Sequence, residues 1–469
     1  MAQAPAEVRD LGTSAADREL LAAFYKNLYL PAFPDADERE SLDNIQRYLD
    51  KKAAGWYGPN NYHVHVRLED SELVGGAITD YLAGPNTGVI EFLVASPARR
   101  GRGLGRRLLD DAERALAADA RAAGAAGLRA VVAEMNDPFR SGLALDSMDP
   151  FTRLLIWSGW GYAGLDFPYV QPALSDRQKP VTSLLLAWKP VSETGNAVAS
   201  ATVKQVLHEY MRWAMRIEQP QRSAEFTEMA RYLDARTAVP LRPLDHYVGH
   251  DEARPLAIRE VTANDADLPA VRAVYAAHFA DRATALDAEA LGRAPAGAST
   301  RGADHAHHLW ALRATPEASV AGLASFFTLP EAGFGGYVAL APPLRGTGRL
   351  PLLLARIETQ MVRDRLGATG WLVECDDAVL ARFRGAGFHE VAIPYRQPPL
   401  RPGGPAPALH LLYKEFGRAY APPALAGAAL LAALGRIQRV VYGIERPEDN
   451  AVCRELASAI DPAAVVPFR

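Results

Sequence analysis

The chain of 469 residues carries a formal net charge of −4, and 49% of its residues are hydrophobic. The length favours two or three domains, and the near-balanced charge excludes a bulk attraction to nucleic acid or to an anionic membrane. The two cysteines, Cys375 and Cys453, provide neither a disulfide framework nor a thiolate metal site, so we expect a cytoplasmic protein without a metal.

The predicted elements of the first half alternate between strands and helices. In chain order they are the strand EVRDL, two helices containing ADRELLAAFYKNLYL and SLDNIQRYLDKK, the strands NYHVHVRLED, ELVGGAITDYL and GVIEFLVAS, the long helix GRRLLDDAERALAADARAA, the strand LRAVVAEM and a short helix near FTRLLIWSG. Asp70 and Ser71 mark a turn between two of the strands. This alternation is typical of an α/β protein.

Segments of the two halves match each other at a long spacing. The matching pairs are 159–174 with 385–400, which share PYxQPxL, 8–25 with 258–275, and 216–220 (RIEQP) with 443–447 (GIERP). Because solenoid units are far shorter, we predict duplication of a whole domain. The predicted parts are a first domain at 1–190, a helical segment and linker at 191–250, a second domain at 251–415 and a helical segment at 416–469.

The stretch VASPARRGRGLGRRLL (94–109) places glycines among arginines between a strand and a helix. Without Cβ atoms the backbone amides can approach a ligand closely, and the helix dipole and the arginines favour an anion. The stretch lacks the Gly-Lys-Ser/Thr of a P-loop, and its glycines do not follow the first strand as they do in a dinucleotide-binding fold. It therefore predicts a pyrophosphate site.

The strand, Pro97, the Arg-x-x-Gly-x-Gly pattern from Arg100 and the following helix resemble the acetyl-CoA-binding motif of the GNAT N-acetyltransferases. The resemblance covers 5–190 and, more weakly, 255–415. It implies two tandem GNAT-like domains, each a mixed twisted sheet flanked by helices, with helical appendages. It also implies acetyl-CoA as co-substrate, with pantetheine along Leu93, Val94 and Ala95 and the diphosphate at Arg99, Arg100, Gly101, Arg102, Gly103, Leu104, Gly105 and Arg106.

The same resemblance implies catalytic positions. Glu91 lies where many family members carry a general base, with a solvated or arginine-paired glutamate as the alternative. Glu134 lies where the ribosomal-protein alanine acetyltransferases carry a glutamate, but the second half keeps Glu374 there, so a structural role is equally open. Trp157 occupies the position of the usual tyrosine acid, which leaves Tyr169 as the candidate substitute and packing as its alternative.

Two polar clusters stand outside the glycine-rich motif. The acidic run FPDADERE contains Asp35, Asp37, Glu38 and Glu40 and offers attraction to a cationic amine, although a solvated loop is the simpler interpretation. His63 and His65 share one face of a strand, but no third ligand is evident, so packing is favoured over metal binding.

The second half repeats the glycine loop imperfectly in YVALAPPLRGTGRLPLLLARIE. Arg345 and Gly348 are kept, whereas Leu350 replaces the last glycine and Gly336 replaces Glu91. A leucine side chain there would point toward bound phosphates. We therefore predict that the second half has a structural or acceptor-shaping role.

The predicted function is transfer of an acetyl group from acetyl-CoA to a primary amine by direct attack, catalysed by the first half. The expected partner is a small-molecule or peptide amine, and a homodimer is an open alternative. No membrane partner is expected, since the most apolar segment, at 422–435, is too short to span a bilayer. The alternative function is a non-catalytic CoA-binding sensor or interaction module.

Overall fold

The structure is a computed structural model that describes residues 6–141, 146–279, 284–291, 304–401, 403–420 and 424–469. The chain divides into two compact units, Met1–Leu244 and Asp245–Arg469. The division falls inside the segment 191–250 that the sequence predicted as a helical linker.

The first unit contains nine strands and seven α-helices in the described part of its chain. The strands are β1 (Ala6–Asp10), β2 (Asn61–Glu69), β3 (Glu72–Leu82), β4 (Thr87–Ala95), β5 (Ala130–Asn136), β6 (Ala163–Leu165), β7 (Leu184–Pro190), β8 (Ala197–Ala199) and β9 (Ala238–Pro243). The helices are α1 (Ala15–Phe24), α2 (Leu30–Ala32), α3 (Leu42–Ala53), α4 (Leu104–Ala122), α5 (Pro150–Gly159), α6 (Ser200–Trp213) and α7 (Ala224–Asp234). A short helix, α8 (Leu244–Tyr247), follows.

The strands of the first unit form one mixed sheet in the order β1-β2-β3-β4-β5-β7-β6-β9-β8. The pair β4 and β5 is parallel, and the neighbouring pairs β3–β4 and β5–β7 are antiparallel. The predicted turn between β2 and β3 is confirmed, because Asp70 and Ser71 have φ values of 54° and 65°. The predicted α/β character is confirmed.

Helix α4 packs against this sheet along one apolar face. Its buried leucines and alanines recur every three or four residues, which places them on one side of a helix. They are Leu104, Leu108, Leu109, Ala112, Leu116 and Ala120. The helix begins directly after Gly103, so its first turn lies at the end of the glycine-rich loop.

Residues 191–244 are part of the first unit's sheet and core. Strands β8 and β9 extend the sheet beyond β6, which the sequence had not predicted. Helices α6 and α7 pack Val203, Tyr210 and Phe226 into the same buried cluster as Val132 on β5. This segment therefore completes the fold of the first unit.

The second unit contains two sheets in its described residues. Its strands are β10 (Ala257–Glu260), β11 (Ala306–Arg313), β12 (Gly322–Thr328), β13 (Gly333–Leu340), β14 (Gly370–Cys375), β15 (His389–Glu390), β16 (His410–Glu415), β17 (Leu425–Ala426) and β18 (Val465–Val466). Its helices are α9 (Leu268–Phe279), α10 (Arg349–Arg363), α11 (Asp377–Gly385), α12 (Gly427–Val440) and α13 (Ala451–Ser458). The larger sheet has the order β10-β11-β12-β13-β14-β16-β15, and β17 pairs with β18.

None of the helices in the described ranges combines the length and the apolarity that a membrane crossing requires. The most apolar stretch of the sequence lies mainly in α12, which buries Leu430, Leu434 and Ile437 in the core of the second unit.

Candidate active site

The two parallel strands of the first unit separate part-way along their length. Strands β4 and β5 pair from Thr87 with Ala130 to Ile90 with Ala133. Beyond Ile90, the described pairing of β4 is with β3 alone, up to Ala95. The edge of β4 that faces β5 is therefore open there, and a cavity of about 450 Å³ lies at this opening.

The glycine-rich loop closes one end of this cavity. Gly101 and Gly103 have φ values of 77° and 71°, a left-handed backbone that other residues adopt only with strain. Gly103 caps α4, whose first amides point out of the helix N-terminus toward the loop. A Cβ on Gly101 would meet no atom within 4 Å, whereas one on Gly105 would lie 3.2 Å from the Trp160 ring.

Most of the predicted cofactor residues line the cavity. They are Leu93, Val94, Ala95, Arg100, Gly101, Gly103, Leu104, Gly105 and Arg106. Arg99 and Arg102 are not among its lining residues. The Arg99 guanidinium forms an ion pair with Glu72, and the carbonyl of Arg102 accepts a hydrogen bond from Arg107.

Glu91 lines the same cavity at an irregularity of β4. Thr79 pairs with Ile90 and Ile78 with Phe92, so Glu91 is the extra residue of a β-bulge. Burial and the neighbouring Asp80 carboxyl raise the pKa of Glu91 well above its usual range, whereas the Arg216 guanidinium lowers it. A buried carboxyl group with increased proton affinity is suited to accepting a proton from a substrate.

Glu134, on β5, also lines the cavity and is hydrogen-bonded to two tyrosines. The hydroxyls of Tyr169 and Tyr210 both donate to its carboxylate. Burial raises the pKa of Glu134 to about 7, although these two hydrogen bonds lower it. Tyr169 itself is almost fully buried and is not among the cavity-lining residues.

Comparison with known proteins finds a family match for most of the residues that line this cavity. Residues 22–138 match the model of the acetyltransferase (GNAT) family. The match includes β4, the glycine-rich loop, α4 and β5, and it covers less than half of the chain. Among curated proteins, none matches.

Solved GNAT structures align with less than half of the chain, each over nearly its own full length. The ribosomal-protein-S18-alanine N-acetyltransferase from Escherichia coli is 13% identical, with 41% of this chain and 97% of that chain covered and a TM-score of 0.27. The PaiA N-acetyltransferase from Thermoplasma acidophilum, solved with coenzyme A, is 13% identical, with 40% of this chain and 99% of that chain covered and a TM-score of 0.28. A GNAT acetyltransferase from Elizabethkingia anophelis, solved with acetyl-CoA, is 13% identical, with 40% of this chain and 98% of that chain covered and a TM-score of 0.25.

The residues of the cavity fit the co-substrate of GNAT enzymes. The left-handed loop at the α4 N-terminus offers amides and the guanidinium groups of Arg100 and Arg106 to a diphosphate. The open edge of β4 offers unpaired main-chain groups to a chain that carries amides, as pantetheine does. Acetyl-CoA, if bound there, would supply the activated acetyl group.

Trp157 stands where the GNAT resemblance predicted a tyrosine acid. It lines the cavity and packs against Trp160 and Tyr162, with ring centroids 5.3 Å and 4.7 Å away. Its ring has no hydroxyl group to donate a proton to a leaving thiolate. The Tyr162 hydroxyl donates to Glu113 at 3.0 Å. The general acid thus stays unassigned.

Of the four acidic residues in the predicted acidic run, only Glu38 lines the cavity. Burial and the Asp35 carboxylate raise the pKa of Glu38 to about 7, and Glu38 is on the cavity wall. The Asp37 carboxylate instead accepts a hydrogen bond from the backbone amide of Lys179 at 3.2 Å. The Glu40 carboxylate accepts a hydrogen bond from the Tyr48 hydroxyl at 3.0 Å. The structure thus gives Glu38 a different environment from its neighbours in the sequence.

His63 and His65 lie close to a third possible ligand that the sequence did not reveal. Asp10 Oδ2 is 2.8 Å from His63 Nδ1, and Asp10 Oδ1 is 3.8 Å from His65 Nε2. Lys52 Nζ lies 3.1 Å from Asp10 Oδ2. The Asp119 carboxylate accepts a hydrogen bond from His63 Nε2 at 2.8 Å. The lysine and a charged His63 balance the two carboxylates. Asp10 was missed because it precedes the histidines by more than fifty residues and joins them only through β1–β2 pairing.

The second unit has a larger cavity, about 900 Å³, between its own separating strands. Strands β13 and β14 pair only from Gly333 with Trp371 to Gly335 with Val373. Gly336 is the extra residue of a bulge in β13, and it lines the cavity together with Leu350. There is no carboxylate at this bulge.

The loop of the second unit keeps the backbone geometry of the first. Gly346 and Gly348 have φ values of 72° and 75°, and Gly348 caps α10. A Cβ on Gly348 would collide with the Arg254 guanidinium, and Arg345 bonds to His278 at 2.9 Å. These arginines have partners from their own unit at the helix N-terminus.

Proposed function

We propose that the first unit transfers an acetyl group from acetyl-CoA to the nitrogen of a primary amine by direct attack, in the cytoplasm. The observation that carries this proposal is the separation of β4 from β5 beside a left-handed glycine loop at a helix N-terminus. Both features lie within the residues that match the GNAT family model. A diphosphate at the loop and an extended ligand along β4 would bring a thioester toward Glu91 and Glu134.

Glu91 is the proposed general base. An amine attacks only when its nitrogen lone pair is free, so a proton has to leave an ammonium acceptor first. The ionised Glu91 carboxylate takes that proton as the N–H bond breaks, and the electron pair of that bond stays on nitrogen. Glu134 is the second candidate for this role, and Tyr169 acts through Glu134, to which it donates a hydrogen bond.

The acceptor is proposed to be a small-molecule or peptide amine that enters as a cation. Glu38 and Glu134 on the cavity wall supply negative charge when ionised. Because burial raises the pKa of both carboxyls to about 7, a cationic acceptor that favours their ionised forms would shift those pKa values down again.

We also propose that the second unit is a duplicated and degenerate GNAT-like domain. Its seven-stranded sheet has the same order as the first seven strands of the other sheet. The bulge at Gly336 corresponds to the bulge at Glu91, and Gly346 and Gly348 correspond to Gly101 and Gly103. Without a carboxylate at the bulge, this unit is proposed to be non-catalytic.

The test combines binding and transfer. Acetyl-CoA is titrated into the wild-type protein and into Arg100→Glu and Glu91→Gln variants by calorimetry, and thiol release is followed with a broad panel of amines. We expect charge reversal at Arg100 to weaken binding at least about tenfold, and Glu91→Gln to keep binding but lower kcat about 10²-fold or more. Binding with no transfer to any amine would favour the CoA-binding sensor, and no binding at all would refute both functions.

A further inference from the structure

Several buried polar atoms with unmet hydrogen bonds lie close to Glu91. Asp80 is 1% exposed, and no amide, ammonium or hydroxyl group in the described chain donates to either of its carboxylate oxygens. Nε and Nη1 of Arg216 and the hydroxyl of Tyr62 also lack partners among the described residues. Each such group costs about 1–3 kcal/mol of stability, so a cluster of them needs an explanation other than folding.

Asp80 and Arg216 are arranged around the Glu91 carboxyl. The carboxyl groups of Asp80 and Glu91 lie within hydrogen-bonding reach, so a proton on Glu91 supplies the donor that Asp80 otherwise lacks. Nη1 of Arg216 lies 4.0 Å from Asp80 Oδ1. One proton and one guanidinium thus neutralise two buried carboxyl groups.

Aromatic rings hold the Arg216 guanidinium in this place. Its central carbon lies 4.0 Å from the centroid of the Tyr48 ring and 5.1 Å from that of Tyr57. The guanidinium also donates a hydrogen bond to the Tyr57 hydroxyl. These contacts fix a cation next to the carboxyl pair although the side chain is largely buried.

The backbone at Arg216 is strained to deliver this side chain. Its φ of 60° lies in the left-handed region, where a residue other than glycine costs about 1 kcal/mol. The matching position in the second half, in RIEQP against GIERP, is Gly443, with a φ of 65°. The first unit therefore keeps an arginine where the backbone favours glycine.

The second unit replaces all three residues together. Counting from the equivalent bulges, Asp80 corresponds to Phe327 and Glu91 to Gly336, and Gly443 replaces Arg216. Both units contain a neighbouring carboxyl–tyrosine cluster, Glu134, Tyr169 and Tyr210 in the first and Glu374, Tyr395 and Tyr442 in the second, although Tyr442 does not stand at the position that matches Tyr210. The joint absence of Asp80, Glu91 and Arg216 equivalents, beside a glutamate–tyrosine pair that both units share, indicates that these three residues act as one functional set.

We propose that Asp80 and Arg216 are positioning residues that fix the orientation of the Glu91 carboxyl and determine whether it carries a proton. This inference rests on the proposed function, in which Glu91 accepts the proton of the amine. Asp80 favours the protonated form of Glu91 by hydrogen bonding and charge repulsion, and Arg216 favours the ionised form by attraction. The balance sets the pH at which Glu91 loses its proton and becomes able to accept one from the amine.

The two variants should therefore act in opposite directions. Removing the Asp80 charge lowers the pKa of Glu91, and removing the Arg216 charge raises it. The other titratable groups that face Glu91 or interact with its charge come from the α2–α3 and α3–β2 connections, β2, α6 and the π-helical turn Tyr25–Tyr29 after α1. They are Glu40, Tyr57, Tyr62, Tyr210 and Tyr29.

The test measures Glu91 directly in the full-length protein. Infrared spectra of protein labelled with ¹³C-carboxyl glutamate are recorded as a function of pH, and the band lost in Glu91→Gln is assigned to Glu91. We expect its midpoint to fall by about one pH unit or more in Asp80→Asn and to rise by a similar amount in Arg216→Gly. Equal midpoints in all three proteins, or shifts in the same direction, would overturn the proposal.

Two further variants separate this role from a structural one. Arg216→Lys keeps the positive charge and should have a Glu91 midpoint close to that of the wild type. If Arg216→Gly does not fold, the comparison of Arg216→Lys with Asp80→Asn still tests the proposal. Ser71→Gly is the matched backbone control, because Ser71 is exposed with a φ of 65°. It should leave the Glu91 midpoint unchanged, and a shift as large as that of Arg216→Gly would contradict the proposal.

Transfer kinetics provide the final readout once an amine acceptor is found by the panel. We expect both charge-removing variants to lower kcat about tenfold or more, with acetyl-CoA affinity unchanged and the pH profiles of kcat displaced in opposite directions. Loss of acetyl-CoA affinity with unchanged Glu91 midpoints would refute the positioning role. Opposite midpoint shifts without any transfer would support control of the Glu91 proton and count against acetyl transfer.

Discussion

At the scale of single residues, His63 shows how two carboxylates offset the cost of burying a cation. Burial lowers the pKa of His63, but hydrogen bonds to Asp10 and Asp119 raise it to about 9 overall. His65, beside it, has no such pair of bonds, and burial lowers its pKa to about 4. Neighbouring histidines on one strand face thus carry different charges at neutral pH.

The raised pKa of His63 predicts a pH-dependent contribution to stability. Its folded pKa of about 9 exceeds the ordinary value near 6.5, so the contribution is complete below about pH 6.5 and is lost as the pH rises through 9. In His63→Gln, we expect the free energy of unfolding at pH 6 to fall by about 2–3 kcal/mol and its decline between pH 6.5 and 9 to weaken. Urea unfolding over that pH range measures both effects, with the half-exposed His208→Gln as the control. An unchanged pH slope in His63→Gln would contradict the assignment.

The two carboxyl–tyrosine clusters provide a second prediction for single residues. Glu134 and Glu374 each accept hydrogen bonds from two buried tyrosines, and burial raises both pKa values to about 7. If this arrangement is scaffolding in both units, Glu134→Gln and Glu374→Gln should each lower local stability by about 1–3 kcal/mol. Hydrogen exchange of the peptides around Tyr169 and Tyr395 measures the local stability of each unit separately. A loss of transfer in Glu134→Gln without loss of protection would assign Glu134 to catalysis.

At the scale of elements, helix α4 connects the glycine loop to the core of the first unit. Its apolar face packs on the sheet, and its N-terminus begins at Gly103 with a φ of 71°. Its other end is followed by Gly124, which has a φ of 86° and where an added Cβ would meet no atom within 4 Å. One helix therefore has a left-handed glycine at each end, but only one of them faces the cavity.

This symmetry allows a controlled test of the loop. Gly103→Ala and Gly124→Ala should each cost about 1 kcal/mol of stability, since alanine pays a similar penalty in the left-handed region. Only Gly103→Ala should weaken acetyl-CoA binding, because the displaced loop amides no longer converge on the diphosphate. Thermal unfolding and calorimetric titration distinguish the two effects. Equal affinities in the two variants would show that the loop geometry does not hold the co-substrate.

At the scale of the whole molecule, each unit has its own sheet and its own buried clusters. The first unit reaches to Leu244, because α6, α7 and β9 bury Leu207, Leu233 and Val239 in its core. A shorter piece that ends at the predicted boundary, residue 190, would expose this surface and would also lack Arg216.

Truncation tests this definition of the unit. We expect residues 1–244 to fold alone and to bind acetyl-CoA with an affinity close to that of the full chain. Residues 1–190 should be insoluble or should lack a cooperative transition, since several large apolar side chains lose their partners. Circular dichroism and calorimetry compare the two pieces. A stable 1–190 fragment would show that residues 191–244 are an appendage, as the sequence predicted.

The candidate site was predictable where its residues are neighbours in the chain. The loop from Arg100 to Arg106, the preceding strand and the following helix are one continuous stretch, and local backbone rules place them. Glu91 was predictable for the same reason, because it lies just before that stretch. Asp80, Arg216 and Asp10 were not, since strand pairing and helix packing bring them to Glu91 or to His63 from distant parts of the chain.

The sequence by itself determined the alternation of strands and helices and the position of the glycine-rich loop, because side-chain periodicity and glycine backbone freedom act over a few residues. Only the tertiary structure decided the number of strands in the first sheet, the extent of the first unit and the buried surroundings that raise the pKa of Glu91. Those properties depend on which surfaces become buried together and which charges come within a few ångströms of one another, and neither is set by spacing along the chain.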